Sequence, residues 1–194
     1  MPVREGREYR TFDFALEAKD DYVVEGYATT FDDPYPMPGG IYEVIDRHAL
    51  DEADMSDAIY QVDHKGAVLA RRSNGSLEIA CDDHGLFFRA KLGGSQAGRD
   101  HYEAVSSGLY TRMSWGFTVV KGTEEYNVRA ATVTVKKVRK VYDVSAVSFP
   151  ANSGTEIHAR SYLDGVIEQA RGESARRERE MEEREALAAL ASIL

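Results

Sequence analysis

Apolar and polar residues alternate along much of this chain, a period of two that predicts β-strands. DYVVEGYATTF, rich in β-branched and aromatic residues, reads as a strand and ends in DDPYPMPGG, a cluster of turn-formers read as a loop. IYEVIDRHALDEAD reads as a short strand running into a helical turn, and DAIYQVDHKG as another strand. A hairpin follows, LEIAC and LFFRAKL joined by DDHG, with Leu86, Phe88, Ala90 and Leu92 on one face and Arg89 and Lys91 on the other. In LYTRMSWGFTVV, Thr111, Met113, Trp115, Phe117 and Val119 share one face; Arg112, Ser114, Gly116 and Thr118 share the other. ATVTVKKVRKVYDVSAVSFPAN predicts two more strands, closed by Pro150.

Two stretches break this period. GGSQAGRDHYEAVSSG predicts an internal helix, flanked by Gly and Ser, with Tyr102 and Val105 three apart on one side. Beyond Tyr162 the composition turns to Ala, Glu and Arg, which favours helix. There Glu173 with Arg177 and Glu180 with Arg184 are spaced as helical ion pairs, and Leu187, Leu190 and Leu194 form a short apolar stripe. The expectation is a mainly β protein with a few helices (α+β): a β domain over residues 1–160 and a charged helical tail over 161–194.

Composition narrows the class. With 43% apolar and 29% charged residues, the chain reads as globular and able to fold without disulfides or a structural metal. Its formal net charge of −9 argues against a nucleic-acid partner, which would need clustered Lys and Arg. Cys81 is the only cysteine, so no intrachain disulfide can form; its alternation with Leu77 and Ile79 places it in the core. The start of the chain has no apolar signal-like region, and no apolar run approaches the roughly 20 residues that span a bilayer. The reading is a protein without a membrane partner, made and kept in a cytoplasm or in something assembled there.

Three residues stand out for chemistry. Ser114 lies on the polar face of an apolar strand, with Gly116 on the same face leaving space that a substrate backbone could use. A serine hydroxyl is a poor nucleophile until a base takes its proton. His64, where a strand ends and the chain turns, is a candidate base; His48, His84, His101 and His158 compete with it, His84 and His101 reading as exposed. Asp143 sits in the apolar segment VYDVSAVSF, where a carboxylate must either face water or find a partner such as a histidine ring. Asp63 is a poor orienter of His64, because neighbouring strand residues point to opposite faces. HExxH, CxxC, GxSxG and the phosphate-loop GxxxxGK[ST] are all absent, so no metal or other cofactor is expected.

Four stretches, in order, carry a resemblance: GYATTFDDPYPMPGGIYEVIDRHAL, YQVDHKG, GLYTRMSWGF and VYDVSAVSFPAN. Together, over residues 22–157, they resemble the prohead (head maturation) serine proteases of tailed phages of the HK97 type. The resemblance implies Ser114 as nucleophile and His64 as general base, with Asp143 or, as in the herpesvirus assembly proteases, a second histidine such as His158 as third member. It implies a closed β-barrel like that of those herpesvirus enzymes, which often act as dimers, so a homo-oligomer is allowed. It also implies cleavage of scaffold and coat protein, and of the protease itself, inside the prohead in the host cytoplasm. Trp115 departs from the smaller aliphatic residue the pattern leads one to expect, but it points to the apolar face. Two rivals remain: a non-catalytic capsid assembly protein with a coat-binding β domain and scaffold-like tail, and a small-molecule esterase.

Overall fold

A computed structural model describes residues 7–12, 16–19, 21–37, 39–148 and 156–191, the last stretch with side chains for 167–168 and 170–185. Five strands form the largest sheet: β1 (Glu8–Phe12), β6 (Ile59–Val62), β7 (Lys65–Arg71), β10 (Arg112–Val119) and β13 (Val138–Val147), in the order β1-β10-β13-β6-β7. A second sheet has the order β2-β3-β9-β8, from β2 (Glu17–Lys19), β3 (Val23–Thr30), β8 (Leu77–Cys81) and β9 (Gly85–Lys91). A third has the order β11-β12-β5-β4, from β4 (Tyr35–Met37), β5 (Ile41–Ile45), β11 (Glu125–Asn127) and β12 (Thr132–Val135). Helices α1 (Gln96–Ser106) and α2 (Glu156–Ala191) and a short 3-10 turn (Arg72–Asn74) complete the described fold. The fold is mainly β with two helices, the expected α+β class, and among the described residues no sheet closes into the expected barrel by hydrogen bonding.

One hydrophobic core joins all three sheets. Val24, Phe88 and Leu77 reach it from the second sheet, Ile45 and Val135 from the third, and Tyr60, Met113, Trp115, Phe117 and Val144 from the first. Trp115 stacks on Phe117 with ring centroids 3.9 Å apart. The indole thus fills the core, as its place on the apolar face implied. The hairpin pairs as its alternation predicts, with Leu86, Phe88, Ala90 and Leu92 buried. Ser95 caps α1, its hydroxyl accepting from the Gly98 amide, and Val105 turns inward.

Several expectations are corrected. Cys81 is exposed, because it ends β8 at the mouth of the hairpin turn, past the layer that buries Leu77 and Ile79. The turn-rich DDPYPMPGG contains β4, which folds back on β5 through Gly39 and Gly40, both at positive φ; as an edge strand β4 tolerates Pro36. His101 is buried, its Nε2 3.0 Å from the Tyr60 hydroxyl and its ring edge-on to Tyr110. Burial lowers its pKa from 6.5 to about 4, so it is neutral and shares a single hydrogen bond with the tyrosine hydroxyl.

Helix α2 begins at Glu156, upstream of the change in composition, and buries Ile167 against Val133 beside Met37, Ile41 and Tyr126. Arg177 and Glu173 pair across one turn at 3.9 Å, as their spacing predicts. Pro150 and the side chains of Leu187, Leu190 and Leu194 lie outside the described residues. Among the described residues, no helix is long and apolar enough to cross a membrane.

Candidate active site

Strand β10 lies between β1 and β13, and this placement decides what its polar face meets. Ser114 is opposite Thr11 on one side and Ser145 on the other; Gly116 is opposite Tyr9 and Asp143. Directly opposed residues of antiparallel strands share a face, so Tyr9, Thr11, Ser114, Asp143 and Ser145 all project from the same side. Ser114, Asp143 and Ser145 are fully buried.

His64 comes to this face from the far side of β13. Strands β6 and β7 pair from Val62 to Lys65, leaving Asp63 and His64 as a two-residue turn at φ +49° and +55°. Two positive values mark a type I′ turn, which suits the twist of a hairpin but costs a non-glycine residue about 1–2 kcal/mol. Asp63 offsets that strain: its amide donates to the Ala146 carbonyl at 2.9 Å, and its carboxylate accepts from the Ser148 amide at 2.8 Å and hydroxyl at 2.9 Å. The turn is thereby pinned to the end of β13. Asp63 does not orient the ring; it orients the turn that carries the ring.

The ring so placed spans the two buried groups. His64 Nε2 is 2.7 Å from Ser114 Oγ, and Nδ1 is 2.5 Å from Asp143 Oδ1. A carboxylate only accepts, so Nδ1–H donates to Asp143 and Nε2 is left to accept from the Ser114 hydroxyl. Ser145 Oγ donates to the same Oδ1 at 2.8 Å. The other oxygen, Oδ2, has no hydrogen-bond partner among the described residues; Arg7 Nη1 lies 3.9 Å from it. Such a relay can draw the proton from the serine and hold the charge that then forms on imidazole.

Gly116 does not leave room for a substrate. A Cβ there would lie 2.5 Å from Asp143 Oδ2 and 2.8 Å from Tyr9 Cε1, so the missing side chain is replaced by the carboxylate and the tyrosine ring. The ladder irregularity between Gly116 and Phe117 falls beside this close contact.

A family model described as "Caudovirus prohead serine protease" matches residues 11–166, which include all three linked side chains. The chain belongs to that family. The "Prohead protease" of Enterobacteria phage HK97 is 29% identical over 150 residues, which cover 74% of this chain and 62% of the phage protein. This member of the family thus spans less than two thirds of that relative's length. No solved structure matches it.

Of the sequence-predicted residues, Ser114, His64 and Asp143 come together, and His48 and His84 lie exposed in turns. His158 falls in α2, and its side chain is outside the described residues. Sequence reasoning missed Arg7 and Tyr9, because β1 lies outside every motif of the prohead protease pattern and mostly precedes the family match. The one available signal was the alternation in REYRT, which sends Arg7, Tyr9 and Thr11 one way and Glu8 and Arg10 the other. Among the described residues, no group of three His, Cys, Asp or Glu side chains is gathered to hold a metal ion.

Proposed function

We propose that the chain is a serine endopeptidase that processes scaffold and coat proteins, and itself, during phage capsid maturation. In this reading residues 1–160 are the protease domain and 161–194 a charged tail. The observation that carries it is the unbroken run of hydrogen bonds from Ser114 through His64 to Asp143, in a member of the prohead serine protease family.

The mechanism follows from the tautomer. His64 Nε2 takes the Ser114 proton as Oγ bonds to the scissile carbonyl carbon, and Asp143 stabilises the imidazolium through Nδ1–H. The tetrahedral adduct collapses, the C–N bond breaks, and the leaving amine takes the proton from Nε2. A water, deprotonated by the same nitrogen, then hydrolyses the acyl group from Ser114. Trp115, next to the nucleophile, is a poor oxyanion donor: it sits between β1 and β13, where its amide lies in the plane of the sheet.

The test is intact mass of the wild type beside Ser114→Ala, each incubated with coat and scaffold proteins. Loss of the nucleophile is expected to slow cleavage by a factor on the order of 10⁶. Discrete fragments with the wild type and none with the variant support the reading. Intact substrates with both, and binding preserved, would leave a non-catalytic assembly protein instead.

A further inference from the structure

Two hydrogen bonds hold the His64 ring, through an N–H and a lone pair that both belong to the ring plane. They fix its direction but leave it free to rock about the line joining the two nitrogens and to lift off the sheet. A group that packs on the ring face is needed to stop that motion. Tyr9 provides one: its ring centroid is 4.3 Å from that of His64, with the planes inclined at 57°.

Tyr9 is itself held from three directions. Below it is Gly116, whose missing side chain lets the ring sit directly on β10. Beside it, Arg7 Nη1 lies 3.5 Å from the Tyr9 hydroxyl, and the Arg7 guanidinium rests over the Tyr142 ring at 3.7 Å from its centroid. Behind it, on the opposite face of the same strand, Arg10 donates to Glu43 at 2.6 and 2.7 Å and to Glu8 at 2.5 Å, all three residues being buried. This anchors β1 to β5 in a different sheet, so Tyr9 cannot slide along β10. Tyr9 also precedes residue 11, where the family match begins.

We propose that Tyr9 is a positioning residue that keeps the His64 ring in register with Ser114 and Asp143, so that the N-terminal strand is part of the active site. The proposal rests on the protease reading of Ser114 and His64. Tyr9 touches neither the nucleophile proton nor the substrate bond; it acts through the imidazole, and its packing surface, not its hydroxyl, does the work.

The full chain is compared as wild type, Tyr9→Ala, Tyr9→Phe and Ser114→Ala. Two quantities are read: the saturating rate of Ser114 phosphonylation by a fluorophosphonate, followed by intact mass, and the downfield proton resonance of His64 Nδ1–H. In the labelling step Oγ bonds to phosphorus, fluoride leaves and Nε2 takes the proton, so the rate reports the relay without a peptide substrate. Tyr9→Ala is expected to slow labelling by about tenfold to a hundredfold, with the half-saturating probe concentration unchanged, and to broaden the Nδ1–H signal. Tyr9→Phe, which keeps the ring and loses only the hydroxyl, is expected to restore both; a thermal melt of each variant separates this from general destabilisation of β1.

A folded Tyr9→Ala with wild-type labelling and an unchanged signal overturns the proposal, as does a Tyr9→Phe that behaves like the alanine variant. If Tyr9→Ala melts early, Tyr9→Leu, which keeps apolar bulk without a flat ring, is read by the same criteria. A wild type that is not labelled, or is labelled no faster than Ser114→Ala, removes the protease reading and this proposal with it. A labelled wild type with an indifferent Tyr9→Ala removes this proposal alone.

Discussion

Gly116 shows how little room a single residue leaves in this site. Its hypothetical Cβ meets a fully buried carboxylate on one side and an aromatic ring on the other, and neither is the loose end of a solvated chain. Gly116→Ala is therefore expected to push Asp143 or Tyr9 aside, cutting peptide cleavage by about a hundredfold. The overpacking is expected to cost about 1–3 kcal/mol of stability in a denaturant melt. Cleavage within a few-fold of wild type would mean that the carboxylate is not held where the geometry puts it. That Ser114, His64 and Asp143 belong together was legible in the sequence, because each lies in a short, ordered motif. The purpose of Gly116 was not, because what fills the space above a glycine comes from two other strands, and local spacing carries no record of them.

At the scale of elements, β1 is held by a buried ion network with two acids and one base. Burial alone would lower the Arg10 pKa, but the charges of Glu43 and Glu8 outweigh it and hold the guanidinium above its ordinary range. Burial raises the Glu8 carboxyl against the pull of Arg10. Removing Glu43 alone strands part of that charge, and Glu43→Ala is expected to cost about 3–5 kcal/mol in urea unfolding. The joint replacement Glu8→Leu, Arg10→Met and Glu43→Leu is expected to cost much less, because no charge is left behind. Equal losses in the two proteins would show that the strand depends on something other than charge pairing. Legibility differed between strands for a plain reason. β3 and β9 bury alternate residues over much of their length and so alternate in sequence, and β10, buried on both faces, still keeps its large apolar residues to one of them. Most of β7 is exposed, and β4 carries a proline, so neither has a period to read.

Across the whole molecule, acid should act in two stages. His101 has a folded pKa of about 4 against 6.5 for the ordinary residue, so the unfolded chain takes up a proton that the folded chain refuses. Stability therefore falls as pH drops from about 6.5 towards about 4, by an amount on the order of 3 kcal/mol when complete. Asp46, Asp54, Asp57 and Asp82 are held below the ordinary carboxylate range, Asp54 first of all by its bond to Lys140, and their contribution is lost at lower pH still. Glu8, raised by burial, works in the opposite sense. In thermal melts across this range, His101→Gln is expected to flatten the upper stage and leave the lower one. An unchanged upper stage would exclude His101 as its source. The partition of the thirteen described strands into three sheets was the least legible feature, since pairings such as β13 with β6 and β12 with β5 join distant segments in parallel and no local pattern announces them.

The pairing of β1 with β10 sets a timetable for synthesis. Glu8 leaves the ribosome well before Phe117, its partner in the sheet, and Asp143 follows later still. A growing chain holds the histidine turn long before it holds the nucleophile, and it holds both before the carboxylate. No truncated translation product ending before β13 can bring the three side chains together. Competence arrives in one step, when the two ends of the β fold meet.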